Sequence, residues 1–265
     1  MTPLLALDRI VKIYGTPQSF VAALDDLSYG VAENSFVSLV GPSGCGKTTI
    51  LRIVAGLTFP TSGLALLRGD PIRGPGADRG MVFQSYTSFP WLTVKANIEF
   101  GPAVRGAARS TRDVAARDLI ELTGLSGFEN AYPHTLSGGM KQRVALARTL
   151  ANDPAILIMD EPFGSLDQQT RWTMQELLLT IWDRSQKTVL FVTHDIEEAL
   201  FLSDVVLVLT ARPGRIKREI PVHFPRPRCP ELKATPEFVA LKAAVIGLIR
   251  EELSTPSPSQ HVPHA

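Results

Sequence analysis

The stretch Gly41-Pro42-Ser43-Gly44-Cys45-Gly46-Lys47-Thr48 restricts the possible folds more than any other part of this chain. It follows Phe36-Val37-Ser38-Leu39-Val40, a near-continuous apolar run of the kind a strand buried on both faces requires, and it precedes a helical pattern through Ile50 to Ala55. A glycine-rich turn between a buried strand and a helix is the setting of a phosphate-binding loop. The glycines let backbone N–H groups close around phosphates at the helix N-terminus, Lys47 adds a point charge, and the Thr48 hydroxyl can coordinate magnesium.

The rest of the chain fits that start. Ala155 to Met159 and Thr188 to Val192 read as further buried strands, each followed by a helical pattern, Gln168 to Trp182 and Ile196 to Leu202. Alternating strands and helices predict a mostly parallel sheet. Alternation in Leu5 to Tyr14 and a second strand around Leu24 to Ala32 predict an antiparallel sheet ahead of the loop. Residues 93–152 read as a helical subdomain inserted into the α/β core. Pro213-Gly214 predicts a turn joining Val205–Val208 to Ile216–Val222. Prolines between 221 and 230 exclude regular structure, Pro236 to Leu253 reads as one amphipathic helix, and the Pro/Ser/His-rich tail of residues 254–265 is expected to be disordered.

Further residues carry chemistry. Ile156-Leu157-Ile158-Met159 ends in Asp160 and Glu161, and acids at the carboxyl end of a buried strand are costly unless they have a task. Asp160 is placed to hold magnesium. Glu161, one residue on and facing the other way, could orient and deprotonate an attacking water. His194 stands at the end of another such strand and could reach a phosphate, although a single histidine there is more often a helix cap or a structural residue. Gln84, after Met81-Val82-Phe83, is ambiguous by itself. Leu136-Ser137-Gly138-Gly139-Met140 is a second glycine turn feeding a helix, readable either as an anion site or as a simple N-cap.

Composition narrows the classes. A net charge of +1 with 27 basic and 26 acidic residues, scattered along 265, gives no electrostatic footprint of a nucleic-acid binder. Cys45 and Cys229 have neither metal-ligand nor redox spacing, which fits a reducing compartment. No aliphatic run nears the roughly 20 residues of a membrane helix, and Met1 to Asp8 lacks the features of a signal peptide, so export and membrane insertion are not expected.

With these motifs in this order, the sequence resembles ABC transporter ATP-binding subunits from about Leu4 to Ile216. Tyr14 is similar to the aromatic that stacks on adenine, Gly41 to Thr49 to the Walker A loop, and Gln84 to the Q-loop glutamine. Leu136 to Met140 resembles the signature motif, Asp160 and Glu161 resemble Walker B and its catalytic glutamate, Ser165-Leu166-Asp167 the D-loop, and His194 the switch histidine. The resemblance implies a P-loop NTPase core of mostly parallel sheet with an antiparallel β subdomain and the inserted helical subdomain. That ATP-binding domain would span residues 4–230, followed by a C-terminal helix at 231–253. It further implies ATP and Mg2+ as cofactors, with Thr48, Gln84 and Asp160 at the metal and Glu161, His194 and Gln84 in catalysis.

It also implies partners: a head-to-tail homodimer in which Ser137, Gly138 and Gly139 of one copy complete the nucleotide site of the other, two transmembrane permease subunits, and indirectly an extracytoplasmic substrate-binding protein. The permease would dock near Gln84 and the segment Tyr86 to Leu92, which reads equally well as local core, and the protein would sit at the cytoplasmic face of the membrane. Met140 departs from the usual glutamine of the signature. With Tyr86-Thr87, Phe89-Pro90-Trp91, Glu161-Pro162-Phe163-Gly164 and Ala211 to Ile216, it is similar to the nitrate, sulfonate and taurine importer branch. Two readings with the same ATP chemistry remain beside it, a soluble ABC-type ATPase of DNA repair or translation and the ATPase of a lipid or drug exporter.

Overall fold

A computed structural model describes residues 3–16, 19–85 and 87–254. Tyr86 and residues 255–265, where the tail without regular structure is expected, lie outside them. Four strands form an antiparallel sheet in the order β2-β1-β4-β5: β1 Leu5–Thr16, β2 Ser19–Val31, β4 Ser62–Leu67 and β5 Asp70–Pro71. Six strands form the second sheet. In spatial order they are β10 Ile216–Pro221, β9 Val205–Leu209, β3 Phe36–Val40, β8 Thr188–Val192, β7 Ile156–Asp160 and β6 Arg79–Val82. All neighbours are parallel except β10, which runs antiparallel along one edge as the partner of β9.

The continuous apolar runs resolve into two faces with a period of two residues. Val37, Leu39, Ile156, Ile158, Leu190, Val192, Leu207 and Leu209 join a core with α1 (Lys47–Val54) and the antiparallel sheet. Phe36, Val40, Leu157, Met159, Val189, Phe191, Val206 and Val208 join a second core with α5 (Gln168–Ser185), α6 (Ile196–Leu202) and α7 (Pro236–Ser254). Both faces of the parallel sheet are therefore covered, which is why its strands carry no polar alternation. The C-terminal helix α7 is bound into this packing through Phe238 and Val245, both without solvent exposure, and the Phe238 ring sits 5.6 Å from that of Phe224.

Between β6 and β7 the chain forms α2 (Val94–Val104), α3 (Arg109–Leu122) and α4 (Gly138–Leu150) around a small core of their own, including Val94, Ile98, Ile120, Leu125 and Val144. Thr93, Ser137 and Asp167 each cap the next helix, with side-chain oxygens accepting from the N–H groups of Ala96, Met140 and Thr170.

Three features go beyond the sequence reading. Strands β4 and β5 extend the antiparallel sheet from the two expected strands to four. Strand β6 is a short edge strand whose Gly80 lies so close to α4 that an added Cβ would meet the Thr149 side chain at 2.4 Å. And β2 begins at Ser19, five residues before the expected start.

Candidate functional site

Strand register decides where the site lies. Leu39 and Asp160 both pair with Val192, and Val82 pairs with Met159, so β3, β6, β7 and β8 end at one edge of the sheet. The residues just beyond those ends are the glycine-rich loop, Gln84, Glu161 and His194. In a parallel sheet this carboxyl edge is where ligands bind.

Around the loop lies a cavity of about 360 Å³ lined by Tyr14, Val21, Ala23, Ser43, Gly44, Gly46, Lys47, Thr48, Thr49, Glu161, His194 and Arg212. Gly44 (φ +75°) and Gly46 (φ +101°) hold left-handed conformations that turn the loop back over the start of α1. No side chain caps α1 and no acid occupies its first turn, so its leading N–H groups are free to meet an anion. Lys47 is almost fully buried, and its ammonium donates to the carbonyls of Gly41 at 2.8 Å and Pro42 at 2.9 Å. Cys45 is buried beside it, and burial pushes its thiol above the ordinary range, so the side chain acts as packing in the loop rather than as a thiolate. Tyr14 presents a ring 40% exposed near the end of β1, with Lys12 Nζ 4.8 Å from its centroid.

The two acids diverge as their adjacency in a strand requires. Asp160 accepts from the Thr48 hydroxyl at 3.2 Å, joining β7 to the loop. Burial raises its carboxyl above the ordinary aspartate value, and the Thr48 hydrogen bond offsets part of that rise. Among the described residues no cation lies within ion-pair distance of Asp160. A half-buried carboxylate next to a hydroxyl, with Arg52 and Lys47 near enough to act on it but not in ion-pair contact, and facing the glycine-rich loop, is the donor set that magnesium takes when it keeps phosphate and water ligands as well. Among the described residues no group of three or more His, Cys, Asp or Glu could form a closed metal cage.

Glu161 turns away from Asp160. Its backbone is left-handed (φ +44°), a strained state for a glutamate, held by its N–H donating to the Val192 carbonyl at 2.9 Å and its carbonyl accepting from Gly164 at 3.1 Å. The Glu161 side chain thereby meets two partners from neighbouring strand ends: Gln84 Nε2 donates to its Oε2 at 3.5 Å, and His194 Nδ1 lies 3.3 Å from the same oxygen. A carboxylate fixed this way, at the mouth of a phosphate-sized cleft, can orient a water and take its proton.

Ser137, Gly138 and Gly139 are not among the residues lining this cavity. The Ser137 hydroxyl accepts from Met140 N at 3.3 Å as the α4 cap, and Gly139 packs so tightly on the start of α5 that a Cβ would meet Thr170 Cγ2 at 2.5 Å. Met140 packs against the helical core. The segment 87–92 divides between the two expectations for it. Trp91 is 70% exposed, whereas Phe89 is half-buried, 4.5 Å from the Phe100 ring and beneath the Arg148 guanidinium. Sequence reasoning missed the residue that fixes this segment: fully buried Asn97 accepts from Phe89 N–H and donates to the carbonyls of Phe89, Leu92 and Thr93. It also gave Arg212 no place in the site.

The family described as ABC transporter matches residues 24–164. An uncharacterized ABC transporter ATP-binding protein of Methanocaldococcus jannaschii is 50% identical over 249 residues, covering 94% of this chain and 92% of that protein. The chain belongs to the ABC transporter family. A nitrate import ATP-binding protein, NrtD, of Synechocystis is 44% identical over 93% of this chain and 95% of its own length. A taurine import ATP-binding protein, TauB, of Yersinia pestis is 44% identical over 87% of this chain and 92% of its own. Among solved structures, a dimeric post-hydrolysis ATP-binding cassette bound to ADP and Pi superposes with a TM-score of 0.72 at 32% identity, covering 83% of this chain and 99% of that one. As an ABC family member the protein is an ATPase with the P-loop fold expected from the sequence. Among its described residues, no helix is long and apolar enough to cross a membrane.

Proposed function

We propose that this ABC ATPase energises an importer for a small anion such as nitrate, a sulfonate or taurine, acting from the cytoplasmic face of the membrane on two permease subunits that receive substrate from an extracytoplasmic binding protein. The importer reading is supported by the nitrate and taurine relatives, which align over nearly their whole lengths.

The observation that carries the chemistry is the convergence of Gln84 and His194 on one oxygen of Glu161 beside the glycine-rich loop. In this reading the α1 N–H groups and Lys47 hold the ATP phosphates, Tyr14 stacks on adenine, and Pro42, Ser43, Cys45 and Thr49 complete the loop. Thr48, Asp160 and Gln84 hold Mg2+, which when bound neutralises charge on the phosphate oxygens. Glu161 orients the attacking water and takes its proton, while His194 fixes the Glu161 carboxylate and faces the terminal phosphate. In this reading the protein works as a head-to-tail homodimer whose partner subunit's signature turn closes the site that the lone chain leaves open; the dimeric state of the structural neighbour supports a pair of cassettes.

Movement of Gln84 on closure is passed to the permease through residues 87–92. A second cavity of about 360 Å³ lies there, lined by Phe89, Phe100, Val104 and Arg148 among others, with exposed Trp91 adjacent to Phe89. Pull-down of the tagged protein from solubilised membranes, followed by mass spectrometry, tests the proposal. Recovery of a multi-span permease is expected, and recovery of ribosomes or DNA-repair factors without any membrane protein overturns the transport reading.

A further inference from the structure

One charged cleft residue remains without a role. Arg212 sits on the turn between β9 and β10, far in sequence from the loop, yet it lines the same cavity as Lys47, Thr48 and Thr49. Its Nε donates to the Gly44 carbonyl at 3.1 Å, and Nη2 lies so near Gly44 that an added Cβ would come within 2.7 Å of it. The guanidinium is thus laid along the loop with one N–H committed, and among the described residues neither Nη group has a hydrogen-bond partner. Lys47 and Arg212 are the two permanent cations among the lining residues, and the Lys47 ammonium is already shared between two loop carbonyls. A planar fork with free N–H groups, exposed at the rim of a phosphate cleft, has the donor geometry that phosphate oxygens accept.

The turn that carries Arg212 is held from two sides. Toward the antiparallel sheet, Gly214 donates to Ala23 at 2.9 Å and accepts from Asp25 at 3.2 Å, and Arg215 pairs with Asp25. Ala23 itself lines the cleft. On the other side stands the C-terminal helix. Glu252 Oε2 accepts from Ala211 N–H at 2.9 Å, directly beside Arg212, while its Oε1 meets Lys217 at 2.9 Å. Lys217 in turn donates to the Leu248 carbonyl at 2.9 Å, which ties this end of α7 to β10.

We infer that Arg212 is a second cationic ligand of the nucleotide phosphates, and that α7 positions it through Glu252. This rests on the ATP site proposed above and extends it: the C-terminal helix sets the affinity for nucleotide. An arginine held by backbone contacts at its turn loses little freedom on meeting an anion, so its contribution depends on the turn being fixed.

Calorimetric titration of the full chain with ATP, ADP and adenosine tests this, with Lys47→Ala as reference. Arg212→Gln is expected to weaken ATP binding about tenfold, ADP binding less, and adenosine binding not at all, and to flatten the dependence of ATP affinity on salt. Glu252→Ala is expected to raise Kd and KM for ATP about threefold with kcat unchanged, while Glu252→Gln, whose amide oxygen still accepts from Ala211 N–H, returns most of the affinity. Wild-type ATP affinity in Arg212→Gln alongside lost affinity in Lys47→Ala overturns this inference and leaves the ATP site standing. Equal losses for ATP, ADP and adenosine reduce Arg212 to a brace for the loop and overturn it also. Undiminished affinity in both variants refutes the site itself.

Discussion

Replacing Glu161 with glutamine separates hydrolysis from binding. The side chains have the same shape, so the contacts to Gln84 at 3.5 Å and His194 at 3.3 Å remain available, and the left-handed backbone at 161 is unaffected. Only the basicity goes. General-base assistance contributes about 10²–10⁴-fold, or roughly 2.7–5.4 kcal/mol of barrier at 1.36 kcal/mol per tenfold. Binding should not suffer. The α1 N–H groups and Lys47 are untouched, and the negative charge of Glu161 is one of the influences that raise the Asp160 carboxyl, so its removal eases ionisation of the proposed magnesium ligand. Phosphate release at saturating ATP and Mg2+ is therefore expected to fall at least about a hundredfold while ATP affinity stays within about twofold. Light scattering should find a dimer that persists in ATP. Turnover above about a tenth of wild type would refute the assignment of Glu161 as base.

Other consequences are as direct. Ser137→Ala lies outside the lone chain's cleft, so it should leave ATP affinity unchanged yet abolish turnover, and mixing it with inactive Lys47→Ala should recover phosphate release above either alone, because a mixed dimer has one complete site; no recovery would count against the head-to-tail pairing. Phe238→Ala removes a fully buried ring from the main core and should cost about 3–5 kcal/mol in urea unfolding, whereas a loss below about 1 kcal/mol would place α7 outside the cooperative unit. Asp160 titrates above its unfolded value of 3.8, so the native state binds this proton more tightly than the unfolded state. Its contribution to stability then falls as pH rises from that value through the raised native one, and Asp160→Asn, without nucleotide, should show a higher urea midpoint relative to wild type at pH 7 than at pH 4.

The parts of this molecule that sequence disclosed are those where a local pattern forces one outcome. Strands β3, β7 and β8 are buried on both faces and so appear as unbroken apolar runs, and each run leads directly into a chemical group at a known edge: the loop after β3, Asp160-Glu161 at the end of β7, His194 after β8. Strand β6 is equally parallel, but it is four residues long, reads Arg79-Gly80-Met81-Val82, and signals nothing. Strands β4 and β5 are mostly exposed, with Gly63 inside β4 and Gly69 between the two, and β4 depends on β1 for pairing as β5 depends on β4. Asn97 is a polar residue on a helix pattern, and its four hydrogen bonds exist only once the 89–93 segment folds over it. The convergence on Glu161 was legible as separate motifs and a family resemblance. The distances that join them come from strand register across β6, β7 and β8.

Helix N-termini distinguish the two phosphate-type turns: the one before α4 is capped by its own serine, the one before α1 is not. α4, α5 and α6 begin on Ser137, Asp167 and Asp195, whose own oxygens satisfy the first N–H groups, and α6 adds Glu197 and Glu198 to its first turn. Helix α1 begins on Gly46, which offers no such oxygen, beneath a loop whose glycines keep Cβ atoms out of the cleft. The missing cap leaves unsatisfied donors in the apo chain, a cost that an anion removes on binding. In the proposed ATP site, affinity then arises from what the sequence withholds from α1, and the cations that would decide its strength are Lys47 from within the loop and Arg212 from a turn more than 160 residues away, which bonds Gly44 itself while α7 holds the neighbouring Ala211.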